Sequence, residues 1–457
     1  MNVSDLKDKT VLVMGLGRFG GGVDVAQFAA RAGAHVIVTD AAREDQLADS
    51  VAQLRDWPKI EWKLGGHDPE DFVRADTIVV NPAVPIDNHF LEIARRHHKV
   101  IASQVGWFFQ LCPARIVGIT GANGKSTTAS LTAHLLERAE GSRSFAKVWL
   151  SGNIGHRPLL GTLSEIGPDD VVVLELSSFQ LEQLAEIEAA PAIALLTNVT
   201  PNHLDRHGTF EAYCAAKENI FRFQRLDEQS PAVSIFNAED QIASTWFEKY
   251  AGQAGRTCVM YSADEVSESL RDCFALPGWA NLSNLAGALA VARQLGVGDE
   301  AIAKALPDFR GLPHRLELVA MIDGVRWYND SIATTPQSVM VALEAFEDPK
   351  ILIAGGYDKN IPFDELGREI AARAKAVVLI GQTAPKLADA IRAGSKGAAQ
   401  IPVVPAQSLV EAVQTAHQHA VRGDVVLLSP ACASYDMFDN FQQRGAQFAQ
   451  LVRRLDT

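Results

Sequence analysis

Cysteine is scarce. Cys112, Cys214, Cys258, Cys273 and Cys432 are odd in number, widely scattered and without C-x-x-C spacing, which argues against a disulfide framework or a cysteine zinc site and leaves reduced thiols as the expectation. Long apolar runs are also missing. Nothing approaches the roughly 18 consecutive residues of a membrane helix, and Met1 to Lys9 is polar with mixed charge, so a cytoplasmic protein without membrane insertion is expected. Positive charge is in deficit as well: the net charge of −13, with no basic block, opposes nonspecific binding to nucleic acid or anionic lipid. Any phosphorylated ligand must therefore be held by local groups. What remains is ordinary globular composition, 47% apolar and 21% charged, in 457 residues, a length that suggests about three domains.

The stretch Arg115 to Thr128, R-I-V-G-I-T-G-A-N-G-K-S-T-T, organises the chain. An Ile and Val run long enough for a buried strand leads into it, and Leu131, Leu135 and Leu136 continue it at helical spacing. Gly121 and Gly124 let successive N–H groups turn inward around an anion, Asn123 lies between them, and the following helix adds its positive end. Lys125 is then placed for the β- and γ-phosphates and the Ser126 or Thr127 hydroxyl for Mg²⁺. The strict G-x4-G-K-[ST] pattern fails by one residue, because Ile119 stands where the first glycine belongs. A bare glycine turn is the alternative, but the strand and helix context favours a phosphate loop for ATP, with GTP second.

Upstream, Thr10 to Met14 feeds Gly15-Leu-Gly17-Arg18-Phe19-Gly20, then a helical segment and a second strand, His35 to Thr39, ending in Asp40. Taken alone this G-x-G-x-x-G fingerprint predicts NAD. Physically it encodes close backbone approach to a pyrophosphate at a helix N-terminus, which any nucleotide diphosphate with a ribose satisfies. A third strand, Thr77 to Val80, stops at Asn81-Pro-Ala-Val-Pro85. Downstream of the phosphate loop, strands at Val171 to Leu176, Ala192 to Thr197, Ala232 to Phe236 and Arg256 to Tyr261 alternate with helical segments, which reads as a mostly parallel sheet covered on both faces. Polar groups gather at their ends: Gly152-Asn153, Glu175-Leu-Ser177-Ser178, and Asn198 through His203-Leu-Asp205. Glu175 follows a wholly apolar strand, where Mg²⁺ ligation explains a carboxylate better than a solvated strand end. His203 and His207 flank Asp205 but lack a third partner spaced for zinc. On chemistry alone Lys217 reads as a solvated or snorkelling lysine, and Asn281 as the N-cap of a helix.

Phe309 to Arg315 is a Gly and Pro interruption that marks a hinge. Beyond it, two strands around Asp323-Gly324 read as a hairpin ending at Asn329-Asp330-Ser331, and strands at Ile351 to Ala354, Ala376 to Ile380 and Val425 to Leu428 give a third α/β unit. The expected fold is therefore α/β in three domains: residues 1–103 Rossmann-like, 104–311 a P-loop ATPase with a mostly parallel sheet, and 312–457 Rossmann-like again.

Together G-x-T-G-A-N-G-K-S-T, S-G-N-I-G, L-E-L-S-S-F-Q-L-E, N-H-L-D-R-H, Y-x-A-A-K, G-L-P-H-R, N-D-S-x-A-T and L-L-S-P-A-C-A-S-Y-D-x-F-x-N-F-x-x-R-G resemble the Mur ligases over nearly the whole chain. The resemblance implies an ATP-dependent amide ligase that joins D-glutamate to UDP-N-acetylmuramoyl-L-alanine for peptidoglycan precursors. The alanine carboxylate becomes an acyl phosphate, the amine of glutamate attacks it, and ADP and phosphate are released. It places UDP at Gly17, Arg18 and Phe19, with Asp40 and Arg43 near the uridine. Lys125 and Ser126 hold the ATP phosphates, Asn281 and Asn284 lie near the adenine, and Arg315 and Asp330 close over the nucleotide. Ser126, Glu175, His203 and a carbamylated Lys217 serve two Mg²⁺ ions. Asn153 and Ser177 contact the nucleotide substrate, and Thr334, Lys359, Ser434 and Phe441 hold glutamate. A monomer is expected.

Two positions depart from the family pattern. Ile332 replaces the lysine of N-D-S-K-A-T, and Ala280 replaces a histidine beside the adenine asparagines. Ile332 cannot pair a carboxylate, so Lys359, helped by Thr335, is expected to carry that pairing. The same change leaves an L-glutamate-adding variant open, although S-P-A-C-A-S-Y-D favours D-glutamate. More distant alternatives are an NAD-dependent oxidoreductase, which leaves the Lys125 loop unused, a noncatalytic nucleotide switch, and a folylpolyglutamate-type ligase, which lacks a UDP unit.

Overall fold

The structure is a computed structural model that describes residues 2–139, 144–152, 158–395 and 400–455. It divides into two compact units, Met1–Glu265 with Ala286–Ile302, and Val266–Leu285 with Ala303–Thr457. The first unit holds two sheets and the second unit one.

The first sheet contains β1 (Thr10–Met14), β2 (His35–Asp40), β3 (Ile60–Leu64), β4 (Thr77–Val80) and β5 (Val100–Ala102), all parallel in the order β3-β2-β1-β4-β5. The second contains β6 (Arg115–Thr120), β7 (Val148–Gly152), β8 (Val171–Glu175), β9 (Ile193–Leu196), β10 (Ala232–Asn237) and β11 (Arg256–Tyr261), parallel in the order β11-β10-β9-β6-β8-β7. Central strands β8 and β9 are buried at every position, as their apolar runs, ended in β8 by Glu175, require. Each such side chain contributes about 1.5–3 kcal/mol by leaving water.

The third sheet contains β12 (Glu317–Ile322), β13 (Val325–Asn329), β14 (Lys350–Gly355), β15 (Ala374–Ile380), β16 (Val403–Pro405) and β17 (Val425–Leu428), in the order β12-β13-β17-β14-β15-β16. Only β12 runs antiparallel, paired to β13 through the Asp323-Gly324 turn that the sequence marks.

The expected α/β alternation holds in all three sheets. Strands β3, β5, β7 and β16 were not foreseen; they lie at sheet edges, where partial exposure dilutes the apolar signal. In each sheet the strand order reverses once beside a central strand, between β1 and β4, β6 and β9, and β14 and β17. Loops at those reversals part to opposite faces and leave a crevice at the carboxyl ends. The two glycine loops, Glu175, Ser177 and His203 lie at or just beyond the carboxyl ends of strands in the first unit.

Candidate nucleotide and metal site

The loop after β6 is built for an anion. Gly121 has φ +151°, and a Cβ there would lie 1.8 Å from Thr197 Oγ1, so glycine lets the loop lie against the end of β9. Gly124, left-handed at φ 82°, caps the helix Lys125–Glu137 without any side-chain bond to its first N–H groups. A helix N-terminus of this kind favours an anion. The loop is clasped from β9: Thr197 Oγ1 donates to Asn123 O at 2.6 Å, Asn198 Nδ2 donates to the same carbonyl at 3.1 Å, and Asn198 Oδ1 accepts from Asn123 N at 2.9 Å. Lys125 Nζ donates to Ala122 O at 2.9 Å, and Thr127 is buried at the start of the helix.

The helix and the end of β8 bring hard oxygen donors together. Ser126 Oγ donates to Glu175 Oε2 at 2.7 Å, and Glu175 is 5% exposed. A buried carboxylate joined only to neutral donors is costly, and a hydroxyl with a carboxylate at a helix N-terminus is the oxygen set that Mg²⁺ prefers. The residues fit that ion.

Lys217, from the helix Phe210–Arg222, overturns its reading as a solvated lysine. It is 1% exposed and donates to Gly121 O at 2.6 Å, with its Nζ 4.7 Å from the Tyr213 ring centre. Burial lowers its proton affinity well below that of an ordinary lysine, the charge of Lys125 lowers it further, and Glu175 opposes the shift. His203 takes a left-handed turn at φ 53° ahead of a short helix, and its ring meets Phe179 edge-on at 5.2 Å. Burial and the charge of Lys125 favour neutral imidazole, against Asp205. Neutral imidazole is the form that ligates metals. His207 is committed elsewhere, with Nε2 3.0 Å from Ser178 Oγ and Nδ1 3.2 Å from Glu182. The structure thus brings Ser126, Glu175, Lys217, Lys125 and His203 to one loop cluster.

The other reversal in this unit carries the first glycine loop. Gly20, at φ 84°, caps the helix Gly21–Arg31. Asp40 at the end of β2 accepts from Gly17 N at 3.1 Å and Ala42 N at 2.8 Å, which ties the first and second loops. Phe19 is fully exposed, and Arg43 pairs with Asp45 at the surface. Asn81 Nδ2 donates to Gly15 O at 3.2 Å. Ser177 caps the helix Ser178–Ala185 in a reciprocal arrangement with Gln180. Asn153 lies outside the described residues.

In the second unit, Asn281 is not an N-cap: the helix begins at Trp279, and Asn281 Nδ2 donates back to Pro277 O at 2.8 Å. Asn284 reaches Asn281 Oδ1 at 3.4 Å, one turn on along the same face. Asp330, after β13, accepts from Ser429 Oγ at 2.7 Å and Leu316 N at 3.2 Å. Burial lifts its pKa to about 7 against these bonds and the charge of Arg315. Lys359 is exposed on the loop after β14, Ser434 is buried on the loop after β17, and Tyr357 N donates to Ala433 O at 2.9 Å between those loops. Thr334 is half-buried, and Phe441 opens the helix Phe441–Arg453.

Thr335 is a correction, because its hydroxyl caps the helix Pro336–Glu344 through Ser338 and is committed there. Lys386, which sequence reasoning passed over, pairs with Asp358 beside Lys359. Arg444 was passed over too. Its guanidinium, 1% exposed, donates to Ser331 Oγ, Ser331 O and Cys432 O at 3.0, 2.8 and 3.1 Å and ties both loops to the last helix. The signal was present in the R-G that ends the long C-terminal motif, but a fully buried arginine cannot be told from a surface one by residue type.

Three family descriptions match the chain: Mur ligase MurD-like, N-terminal domain over residues 9–103; Mur ligase middle domain over 119–274; and Mur ligase, glutamate ligase domain over 314–432. A protein of Roseiflexus sp. named UDP-N-acetylmuramoylalanine--D-glutamate ligase is 42% identical over 472 residues, covering 98% of this chain and 99% of that one. This chain is a Mur ligase. Proteins of the same name from Acidobacterium capsulatum and Acetivibrio thermocellus are 39% and 37% identical to this ligase, covering 98% and 99% of it and 97% of each relative. Among solved structures, UDP-N-acetylmuramate-alanine ligase MurC from Thermotoga maritima shares the ligase's fold with a TM-score of 0.58 at 19% identity, covering 98% of this chain and all of that one. Members of the family use ATP and Mg²⁺. Among the described residues, no helix of the ligase is long and apolar enough to cross a membrane.

Proposed function

We propose that this Mur ligase joins D-glutamate to UDP-N-acetylmuramoyl-L-alanine at the expense of ATP in the cytoplasm, acting as a monomer with functional domains at 1–103, 104–311 and 312–457. The observation that carries the chemistry is the placing of buried Lys217 and Glu175 beside the phosphate-type loop, with Glu175 bonded to Ser126 in the first turn of the helix that Gly124 caps. Full-length relatives of that name carry the substrate assignment.

The alanine carboxylate is a poor electrophile, so it takes the γ-phosphoryl group of ATP before the amine of glutamate can displace phosphate. The protein's part is positioning and charge neutralisation. The helix N-terminus after Gly124 and the Lys125 ammonium hold the phosphates. Ser126, Glu175, His203 and Lys217 hold two Mg²⁺ ions, which when bound neutralise the crowded phosphate and carboxylate oxygens. Lys217 does so as a carbamate. Its neutral nitrogen attacks the carbon of CO₂, the C=O pair moves to oxygen, and the nitrogen loses a proton, leaving an anion. The depressed proton affinity of Lys217 supplies that neutral amine. Gly17, Arg18, Phe19, Asp40 and Arg43 take the UDP end, with Asn153 and Ser177 toward the muramoyl group. Asn281, Asn284, Arg315 and Asp330 take the nucleotide. Thr334, Lys359, Ser434 and Phe441 take glutamate, with Lys386 beside Lys359 as a second cation for its side-chain carboxylate.

The test is phosphate release from ATP and Mg²⁺ with UDP-N-acetylmuramoyl-L-alanine and either D- or L-glutamate. Release with D-glutamate alone is expected. Release with L-glutamate alone overturns the choice of enantiomer, and silence with both overturns the substrate.

A further inference from the structure

Arg206 joins two parts of the first unit that are far apart in sequence. It lies in the short helix Leu204–His207, where Arg206 N and His207 N donate to His203 O at 3.0 and 2.9 Å. Its guanidinium crosses to the loop after β4. Nη1 donates to Ala83 O at 2.6 Å, and Nη2 donates to Val84 O at 2.7 Å and to Pro82 O at 3.2 Å. These are charge-assisted bonds from one rigid fork. Because every acceptor is a backbone carbonyl, the guanidinium holds the course of the chain itself.

The held loop is joined in turn to the first glycine loop. Asn81 N donates to Met14 O at 2.9 Å, Asn81 Nδ2 donates to Gly15 O at 3.2 Å, and Asn81 Oδ1 accepts from Ala83 N at 3.0 Å. Gly15, at φ +90°, permits this approach, since a Cβ there would lie 2.8 Å from Asn81 Cβ. Pro82 and Pro85 restrict the segment further. In the other direction Arg206 reaches His203 through a ring. The guanidinium carbon lies 5.0 Å from the centre of Phe179, which meets the His203 ring edge-on and stacks on His207, each at 5.2 Å. The bonds of His207 to Ser178 and Glu182 anchor the far side of that stack.

We infer that Arg206 is a positioning residue that keeps the first glycine loop and the His203 turn in one register, so that the nucleotide sugar and the Mg²⁺ nucleotide bind with positive coupling. The inference rests on the proposed assignment of UDP to Gly17, Arg18 and Phe19 and of Mg²⁺ to His203. A ligand that orders either loop restricts the other through the guanidinium, and the second ligand meets a site already ordered. Contact between Arg206 and either ligand is not required.

The test is calorimetric titration of the full chain with ADP and Mg²⁺, alone and with saturating UDP-N-acetylmuramoyl-L-alanine, without glutamate so that no turnover occurs. In the wild type the nucleotide sugar should tighten ADP binding at least about fivefold, and ADP should tighten binding of the nucleotide sugar by the same factor. Arg206→Lys keeps the charge and loses the fork; Phe179→Leu keeps the three carbonyl bonds and removes the ring between Arg206 and His203. In each variant the factor should fall below about two, while either ligand alone binds within about threefold of the wild type. An arginine that only stabilised the fold would alter the single affinities or the Tm and leave the factor intact. Should Arg206→Lys fail to fold, Phe179→Leu decides. Ligands that bind the wild type independently, or a factor retained in either folded variant, overturn the inference and leave the proposed function standing. Failure of the wild type to bind the nucleotide sugar or ADP with Mg²⁺ overturns the proposed function and this inference with it.

Discussion

Asp330 offers a test in which ionisation and folding are read together. Its carboxyl is 5% exposed and bonded only to a hydroxyl and an amide N–H, and its pKa rises from the usual 3.8 to about 7. A pKa raised in the folded state means that folding favours the protonated form. The associated stability is fully present below about pH 4 and is lost as pH rises through 7. Applied to these two values, linkage gives a loss of about 2–3 kcal/mol between pH 5 and pH 8 from this group alone. Asp330→Asn cannot ionise and keeps an oxygen for Ser429. The variant should therefore gain about 2–3 kcal/mol on the wild type over that pH interval. Urea titrations at pH 5 and pH 8, read by hydrogen exchange in peptides that cover β13, report on this unit specifically. A difference between variant and wild type that does not change with pH would refute the reasoning. If Asp330 acts on the nucleotide as proposed, the stabilised variant still loses turnover.

The remaining predictions concern the two loops and the glutamate pocket. Lys217→Ala should lower kcat by about 10²–10³, the scale for one lost electrostatic contact, with partial recovery in acetate; full activity without any added carboxylate rejects the carbamate. Gly121→Ala must displace Thr197 Oγ1, 1.8 Å from the new Cβ, and with it the clasp on Asn123. A rise in KM for ATP of about tenfold or more, with a lower Tm, is expected, and an unchanged KM contradicts the geometry. Lys359→Ala should raise KM for glutamate about tenfold and leave that for ATP alone. Lys386→Ala should do so more weakly, because Lys386 is shared with Asp358; no change in either variant would show that neither lysine replaces the one missing at Ile332.

The strand–glycine loop–helix units were legible because glycine spacing, a preceding apolar run and a following helical period are all local signals. The Lys125 loop shows this, since its caps and its helix lie where the residues place them. Lys217 was not legible from residue chemistry. Its burial depends on Gly121 and Tyr213 closing over it, a contact across nearly a hundred positions for the carbonyl it meets. Thr335 failed for a related reason: a threonine two places beyond Ala333 suits a ligand or an N-cap equally, and Pro336 after it decides for the cap. The edge strands escaped because they are short and half-exposed, so they lack the apolar run that identified β8 and β9. Arg444 shows a further limit, because its partners are two backbone carbonyls and one serine that no charge pattern could have suggested.

The order of the third sheet bears on how the protein is made. Its last strand in sequence, β17, lies between β13 and β14, which end at Asn329 and Gly355, well before it begins at Val425, and do not pair with each other. Synthesis proceeds from the N-terminus at about 5–20 residues per second, so β13 and β14 wait several seconds with open edges until Val425–Leu428 arrives. A ribosome that stalls within that interval leaves two apolar strands ready to pair with another chain. Finished chains carry their own plug, and a nonsense mutation anywhere before Val425 removes it.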